Sequence, residues 1–143
     1  VSAAKGLCYA LEIPLIALST LEILAQSVSA SDGFIIPMID ARRMEVFTQI
    51  FSNEKTEISQ PYALLLDQHA FDHYTDSKIY LLGDGALKAK EVLIEERFIY
   101  LSECIYPSAK DMVALSYEKW KNKDWEDTAY FEPFYLKNFQ LNN

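Results

Sequence analysis

The sequence predicts an α/β protein built on a mixed sheet. Two observations carry that prediction. Three β-rich stretches follow one another from Phe34, and helical and β-rich stretches then alternate to Lys121. The chain has 143 residues, half of them hydrophobic and 24% charged, which is enough to bury one core and too apolar for a disordered chain. Its formal net charge of −8 argues against a protein that works mainly by neutralising phosphates.

The elements follow in order. Residues 2–11 read as a helix with Ala3, Gly6 and Ala10 on one face, where a second backbone can come close. An ordinary buried helix is the plainer alternative. Glu12-Ile13-Pro14 ends the helix, because the residue before proline is pushed out of the α region. Residues 15–18 then read as a short strand. Ser19-Thr20-Leu21-Glu22 has the spacing of a capping box, and Leu21, Leu24, Ala25 and Val28 continue at helical spacing to about residue 28. Residues 29–33 are a loop and the expected boundary between two lobes.

Phe34 to Ile39 read as a strand, in which Pro37 points to an edge or a bulge. Residues 40–43 turn the chain, residues 45–51 form a second strand and residues 56–60 a third, completing an antiparallel meander. Asp67 is placed to cap a helix over residues 68–74. A strand over 78–82, a glycine turn at 83–85, a helix over 86–94 and a strand over 98–101 follow. Ser108 and Asp111 open a helix at about 109–122. The tail, residues 123–143, reads as an extended segment packed on the body. This order is that of the ribonuclease-H-like and actin-like folds, and residues 1–31 read as the back half of the same unit. The expectation is a complete C-terminal lobe over residues 32–143 preceded by a truncated N-terminal lobe over residues 1–31, in a chain that starts at Val1 and not at Met.

The uncharged run from Ile13 to Leu21 is far shorter than the about 20 residues that span a membrane. Cys8 and Cys104 make neither a metal spacing nor a disulfide framework, so the default location is a reducing cytoplasm.

Four constellations bear on chemistry. Gly83-Asp84-Gly85 lies between a strand and a helix and can offer amides to a phosphate, but a tight turn is the favoured reading. Asp40, Arg42, Arg43 and Glu45 cluster at a strand end. Either the arginines grip a carboxylate or phosphate, or the hairpin holds internal ion pairs. His69 and His73 stand four apart near Asp72 and Asp76, and a solvated helix face suits them better than a metal. Tyr117 to Lys123 interleaves basic and aromatic residues, but the acids Asp124, Glu126 and Asp127 follow at once, which argues against a nucleic-acid patch. No nucleophile motif is present.

Several segments, in order, resemble one family. They are Lys5-Gly6-Leu7-Cys8-Tyr9-Ala10 with Ile13-Pro14-Leu15; Ser19-Thr20-Leu21-Glu22; Asp40-Ala41-Arg42-Arg43-Met44-Glu45-Val46-Phe47; Gly83-Asp84-Gly85-Ala86; and Glu132-Pro133-Phe134-Tyr135-Leu136-Lys137. Together they resemble the TsaB (YeaZ-like) family of tRNA threonylcarbamoyladenosine proteins. The resemblance implies an actin-like fold and a non-catalytic subunit that supports TsaD, with the ATPase TsaE, in transferring threonylcarbamoyl to the adenosine beside the tRNA anticodon. It implies no cofactor and no catalytic residue. It places a partner interface at Ala3, Gly6, Leu7 and Ala10, and leaves Asp40, Arg42, Arg43, Glu45, Gly83, Asp84 and Gly85 as an inter-lobe ligand cluster. The family's upstream strands and glycine-rich segment do not occur in these residues. A homodimer is expected when the chain is alone. The alternatives are an actin-like nucleotide-binding enzyme and, behind it, a metallopeptidase.

Overall fold

A computed structural model describes residues 1–136. Helices α1 (Ser2–Leu11) and α2 (Thr20–Gln26) precede strands β1 (Phe34–Asp40), β2 (Glu45–Thr48), β3 (Phe51–Ser52) and β4 (Tyr62–Leu65). Strand β5 (Ile79–Leu82), helix α3 (Ala86–Ala89), strand β6 (Phe98–Tyr100) and helix α4 (Met112–Lys121) follow. The sheet is mixed, in the order β4-β2-β1-β5-β6, with β3 also on β1. The β1–β2 and β2–β4 pairs are antiparallel, while β1–β5 and β5–β6 are parallel.

The period-two alternation of the strands builds two apolar layers. Ile36, Met38, Ile79 and Leu81 face one side and pack with Phe71, Ala86, Ala89, Leu93 and Phe98. Ile35, Phe51 and Leu82 face the other and pack with Leu24, Ala25 and Val28, so α2 covers that face. Each of these large side chains contributes about 1.5–3 kcal/mol by leaving water.

Several elements differ from the expectation. Pro37 is neither on an edge nor in a bulge, since β1 is paired on both sides. The pairs Met38 with Thr48 and Ile35 with Phe51 keep one register across the gap between β2 and β3. The ladder breaks opposite Pro37, which has no N–H to give, and the Thr48 hydroxyl donates to the Pro37 carbonyl at 2.8 Å instead. Residues 15–18 form no strand. Leu15 makes a single bridge to Glu126, because no strand edge runs beside residues 16–18 among the described residues. The third strand of the meander is β4, not residues 56–60. There Ile58 N–H bonds to the Ile50 carbonyl and the Ser59 hydroxyl accepts from Ile50 N–H, in a tight return beside β3.

The helix expected over 68–74 is a series of turns ending in a 3₁₀ turn at Asp72–Tyr74. Asp67 Oδ1 does cap it, accepting from His69 N–H at 2.8 Å. The Phe71 and Tyr74 carbonyls accept from Tyr74 and Ser77 N–H in three-residue turns, and the guanidinium of Arg97 braces both carbonyls at 3.1 Å. The helix after the glycine turn stops at Ala89, and Tyr100 Oη fixes the next bend by donating to the Leu93 carbonyl at 2.8 Å. Helix α4 begins after a 3₁₀ turn at Ala109–Asp111, and the Ser108 and Ser19 hydroxyls make no cap bonds. In the tail, Glu126 N–H meets the Leu15 carbonyl at 2.8 Å, but Tyr130, Phe134 and Tyr135 stay exposed. Lys137 and the residues after it lie outside the described residues.

Candidate functional site

The carboxyl ends of β1 and β5 lie side by side in the parallel pair, with Pro37 opposite Leu82. The two turns that leave these ends, Asp40–Glu45 and Gly83–Gly85, therefore meet. Asp40 N–H donates to Asp84 Oδ1 at 2.9 Å. Gly85 N–H donates to the Met38 carbonyl at 3.0 Å and Gly83 N–H to the Cys104 carbonyl at 2.8 Å.

The glycines are required by this contact. Gly83 has φ +92°, and a Cβ there would stand 2.2 Å from the Met38 carbonyl oxygen. A Cβ on Gly85 would stand 2.8 Å from Val46 Cγ1. With their amides and that of Ala86 bonded inside the fold, the residues act as a tight strand-to-helix turn.

The hairpin from β1 to β2 is more unusual. Ala41 N–H bonds to the Glu45 carbonyl at 3.0 Å and closes a three-residue loop. Arg42 and Arg43 both take left-handed backbone conformations, with φ 69° and 51°. Side chains with a Cβ pay about 1–2 kcal/mol each for that region, and a hairpin turn of this shape ordinarily uses asparagine and glycine.

Lys88, on α3, holds the loop. Its ammonium donates to Asp40 Oδ1 at 2.7 Å, to the Arg43 carbonyl at 2.7 Å and to the Glu45 carbonyl at 2.5 Å. All three of its protons are used, and its side chain is only 15% exposed. Asp40 Oδ1 also accepts from Arg42 N–H at 2.6 Å. Lys88, and after it this amide, hold the Asp40 carboxyl below its usual range. The hairpin's Asp40 is thus paired with Lys88 of α3 and not with Arg42 or Arg43. Neither guanidinium has an ion-pair or hydrogen-bond partner among the described residues. Sequence reasoning passed over Lys88, whose only signal is a lysine one turn after a glycine turn.

The second group of predicted residues is on α1. This ten-residue helix buries no side chain, and Ala3, Gly6, Leu7 and Ala10 are all exposed. Leu7 and Leu11 are each 62% exposed and Tyr9 79%. A Cβ on Gly6 would meet nothing within 4 Å. Lys5 ties the helix to later residues, and Glu12 caps it. Lys5 Nζ donates to the Ala129 and Phe131 carbonyls at 3.1 and 2.8 Å, and Glu12, at φ 52°, ends the helix with Ile13 N–H on the Cys8 carbonyl.

His69 and His73 do not share a helix face. His69 Nδ1 lies 2.9 Å from Asp72 Oδ2 and its Nε2 lies 2.9 Å from Gln68 Nε2. Cys8 and Cys104 are free thiols. No helix among the described residues is long and apolar enough to cross a membrane.

Comparison with known proteins gives concordant results. Residues 1–68 match the family described as "TsaD: tRNA N6-adenosine threonylcarbamoyltransferase". The tRNA threonylcarbamoyladenosine biosynthesis protein TsaB of Bacillus subtilis (strain 168) is 40% identical over 145 aligned residues, which cover 96% of this chain and 62% of that protein. YeaZ from Pseudomonas aeruginosa superimposes with a TM-score of 0.76 at 23% identity, over 93% of this chain and 65% of YeaZ. A second structure, described as an uncharacterized protein with similarity to peptidase YEAZ from Pseudomonas aeruginosa, gives 0.75 at 22% identity, over 94% of this chain and 64% of the other. The two superpositions show the fold, which is the actin-like, ribonuclease-H-like one. This chain is similar in sequence to TsaB of Bacillus subtilis and in fold to the two solved structures, and it spans less than two thirds of the length of each.

Proposed function

We propose that this chain serves tRNA threonylcarbamoyladenosine formation as a non-catalytic subunit that docks on TsaD through α1. The observation that carries this reading is the bare helix. Ten residues of helix with no buried side chain and three large apolar groups in water are poorly accounted for in an isolated chain. The small residues Ala3, Gly6 and Ala10 let a second helix approach closely, and Leu7 supplies apolar area at the contact.

In the same reading the transfer chemistry belongs to TsaD, and TsaE joins the assembly. The tRNA is held chiefly by those partners, since a chain of net charge −8 repels it. The chain works in the cytoplasm. Residues 1–31 form part of one lobe and residues 32–143 the second, and α1 also supports a homodimer when TsaD is absent. The hydrogen-bonded amides of the Gly83–Gly85 turn support a structural role for it over phosphoryl transfer.

Binding of purified TsaD by this chain, as it stands and with Gly6→Leu, tests the reading. Gly6 faces open space, so the substitution leaves the fold intact. The expected result is a complex with the unsubstituted chain that Gly6→Leu weakens at least tenfold. Equal affinity for both removes α1 from the interface. A thermal shift with ATP would instead favour the nucleotide-binding enzyme.

A further inference from the structure

The hairpin at Arg42–Arg43 calls for an account that α1 does not supply. Two adjacent side-chain-bearing residues are held in left-handed conformations, at a cost that folds meet only where the surroundings enforce it. Their guanidiniums are exposed and lack a carboxylate partner among the described residues, in a chain with 21 acids to 13 lysines and arginines. Of the acids in this cluster, Asp40 is committed to Lys88, Asp84 to Asp40 N–H, and Glu45 has an interaction of its own. The loop amides of Arg43 and Met44 also make no hydrogen bond among the described residues, whereas those of Arg42 and Glu45 are used. Successive unpaired amides on a turn form a concavity for an anion, and guanidiniums suit the paired oxygens of a phosphate.

We propose that the Arg42–Arg43 turn is a receptor for a small phosphate-bearing ligand, kept in its receiving shape by Lys88. The Arg43 and Met44 amides hold one phosphate oxygen and the two guanidiniums close over the others. Lys88 is a positioning residue. It offsets the charge of Asp40, whose Oδ1 also accepts from Arg42 N–H, and pins the Arg43 and Glu45 carbonyls so that the Arg43 and Met44 amides stay open to a ligand. A long polyanion does not suit the site, because the remainder of this acidic chain repels it.

Nitrogen-15 NMR of this chain tests the proposal, with sodium phosphate titrated against sodium chloride at matched ionic strength. Saturable shifts of the Arg43 and Met44 amides with phosphate alone are expected, and R42A and R43A should each weaken binding about tenfold, the equivalent of one charge-assisted hydrogen bond. D40N should tighten binding a few-fold, because it removes a negative charge beside the turn and leaves the lysine in place. K88M should weaken binding, and K88R should recover part of it. Absence of a saturable shift, or shifts unchanged in R42A and R43A, overturns the receptor. Weaker binding in D40N overturns the role given to Lys88, even if K88M proves unfolded. A short single-stranded RNA that binds the same amides more tightly than phosphate overturns the small ligand in favour of a nucleic-acid backbone. None of these arms involves TsaD, so the outcome is independent of the α1 reading.

Discussion

Lys88 Nζ lies 2.7 Å from Asp40 Oδ1, joining α3 to the end of β1 across 48 residues of sequence. The acid beside two arginines in sequence is thus paired in space with a lysine. Its carboxyl is held below the usual value of 3.8, first by Lys88 and then by the Arg42 amide. A lowered native pKa gives stability that is present above the unfolded value and lost as the pH falls through the native one. Carbon-detected NMR titration should place Asp40 below the usual 3.8, and Lys88→Met should raise it. An unchanged Asp40 titration in that variant would show that the contact is not made in solution.

The glycines divide into two kinds. Gly83→Ala puts a methyl group 2.2 Å from a backbone oxygen at positive φ, so it should cost about 3 kcal/mol or more in urea unfolding. Gly6→Ala meets nothing within 4 Å and should stabilise α1 by about 1 kcal/mol or less. Similar effects at the two positions would contradict the packing described here.

Glu22 on α2 shows the opposite pH behaviour to Asp40. Burial, and after it the neighbouring Glu57, raise its carboxyl above the usual 4.5, against Lys119 and the Ser19 amide. Its stabilising contribution is therefore present below the unfolded value and lost as the pH rises through the raised native one. Glu22→Gln should raise the melting temperature slightly at pH 7, by the equivalent of about 0.5 kcal/mol because water still reaches the group. The gain should vanish at pH 4. A loss at pH 7 would mean that the bond from Ser19 outweighs burial.

Helix α1 depends on Lys5. Lys5→Met removes its bonds to the Ala129 and Phe131 carbonyls. Hydrogen exchange of the α1 amides should accelerate several-fold while those of β1 and β5 keep their protection. Uniform acceleration would mean that α1 is part of the global folding unit.

Most of the sheet was legible in the sequence because the apolar runs Phe34–Ile39 and Ile79–Leu82 are local signals. Where a distant residue decides, the sequence misled. Arg97 braces the Phe71 and Tyr74 carbonyls in three-residue turns where a helix over 68–74 was expected, and the Ser59 hydroxyl takes the Ile50 N–H that a strand over 56–60 would have paired. Pro37 looked out of place in a central strand, yet the gap between β2 and β3 accommodates its missing N–H. At the candidate site the arginines and glycines stood out in sequence. Lys88 did not, because a single lysine carries no spacing signal and its three acceptors are more than 40 positions away.

The proposed role in tRNA modification is tested most directly by reconstitution. TsaD, TsaE, the adenylate-forming enzyme, ATP, threonine, bicarbonate and unmodified tRNA are combined with the protein that carries this chain, with or without Gly6→Leu, and the modified nucleoside is counted. Modification that requires the protein and falls with Gly6→Leu is the expected result. Modification that proceeds equally without the protein, or equally with the substituted one, would contradict a TsaD-supporting subunit acting through α1.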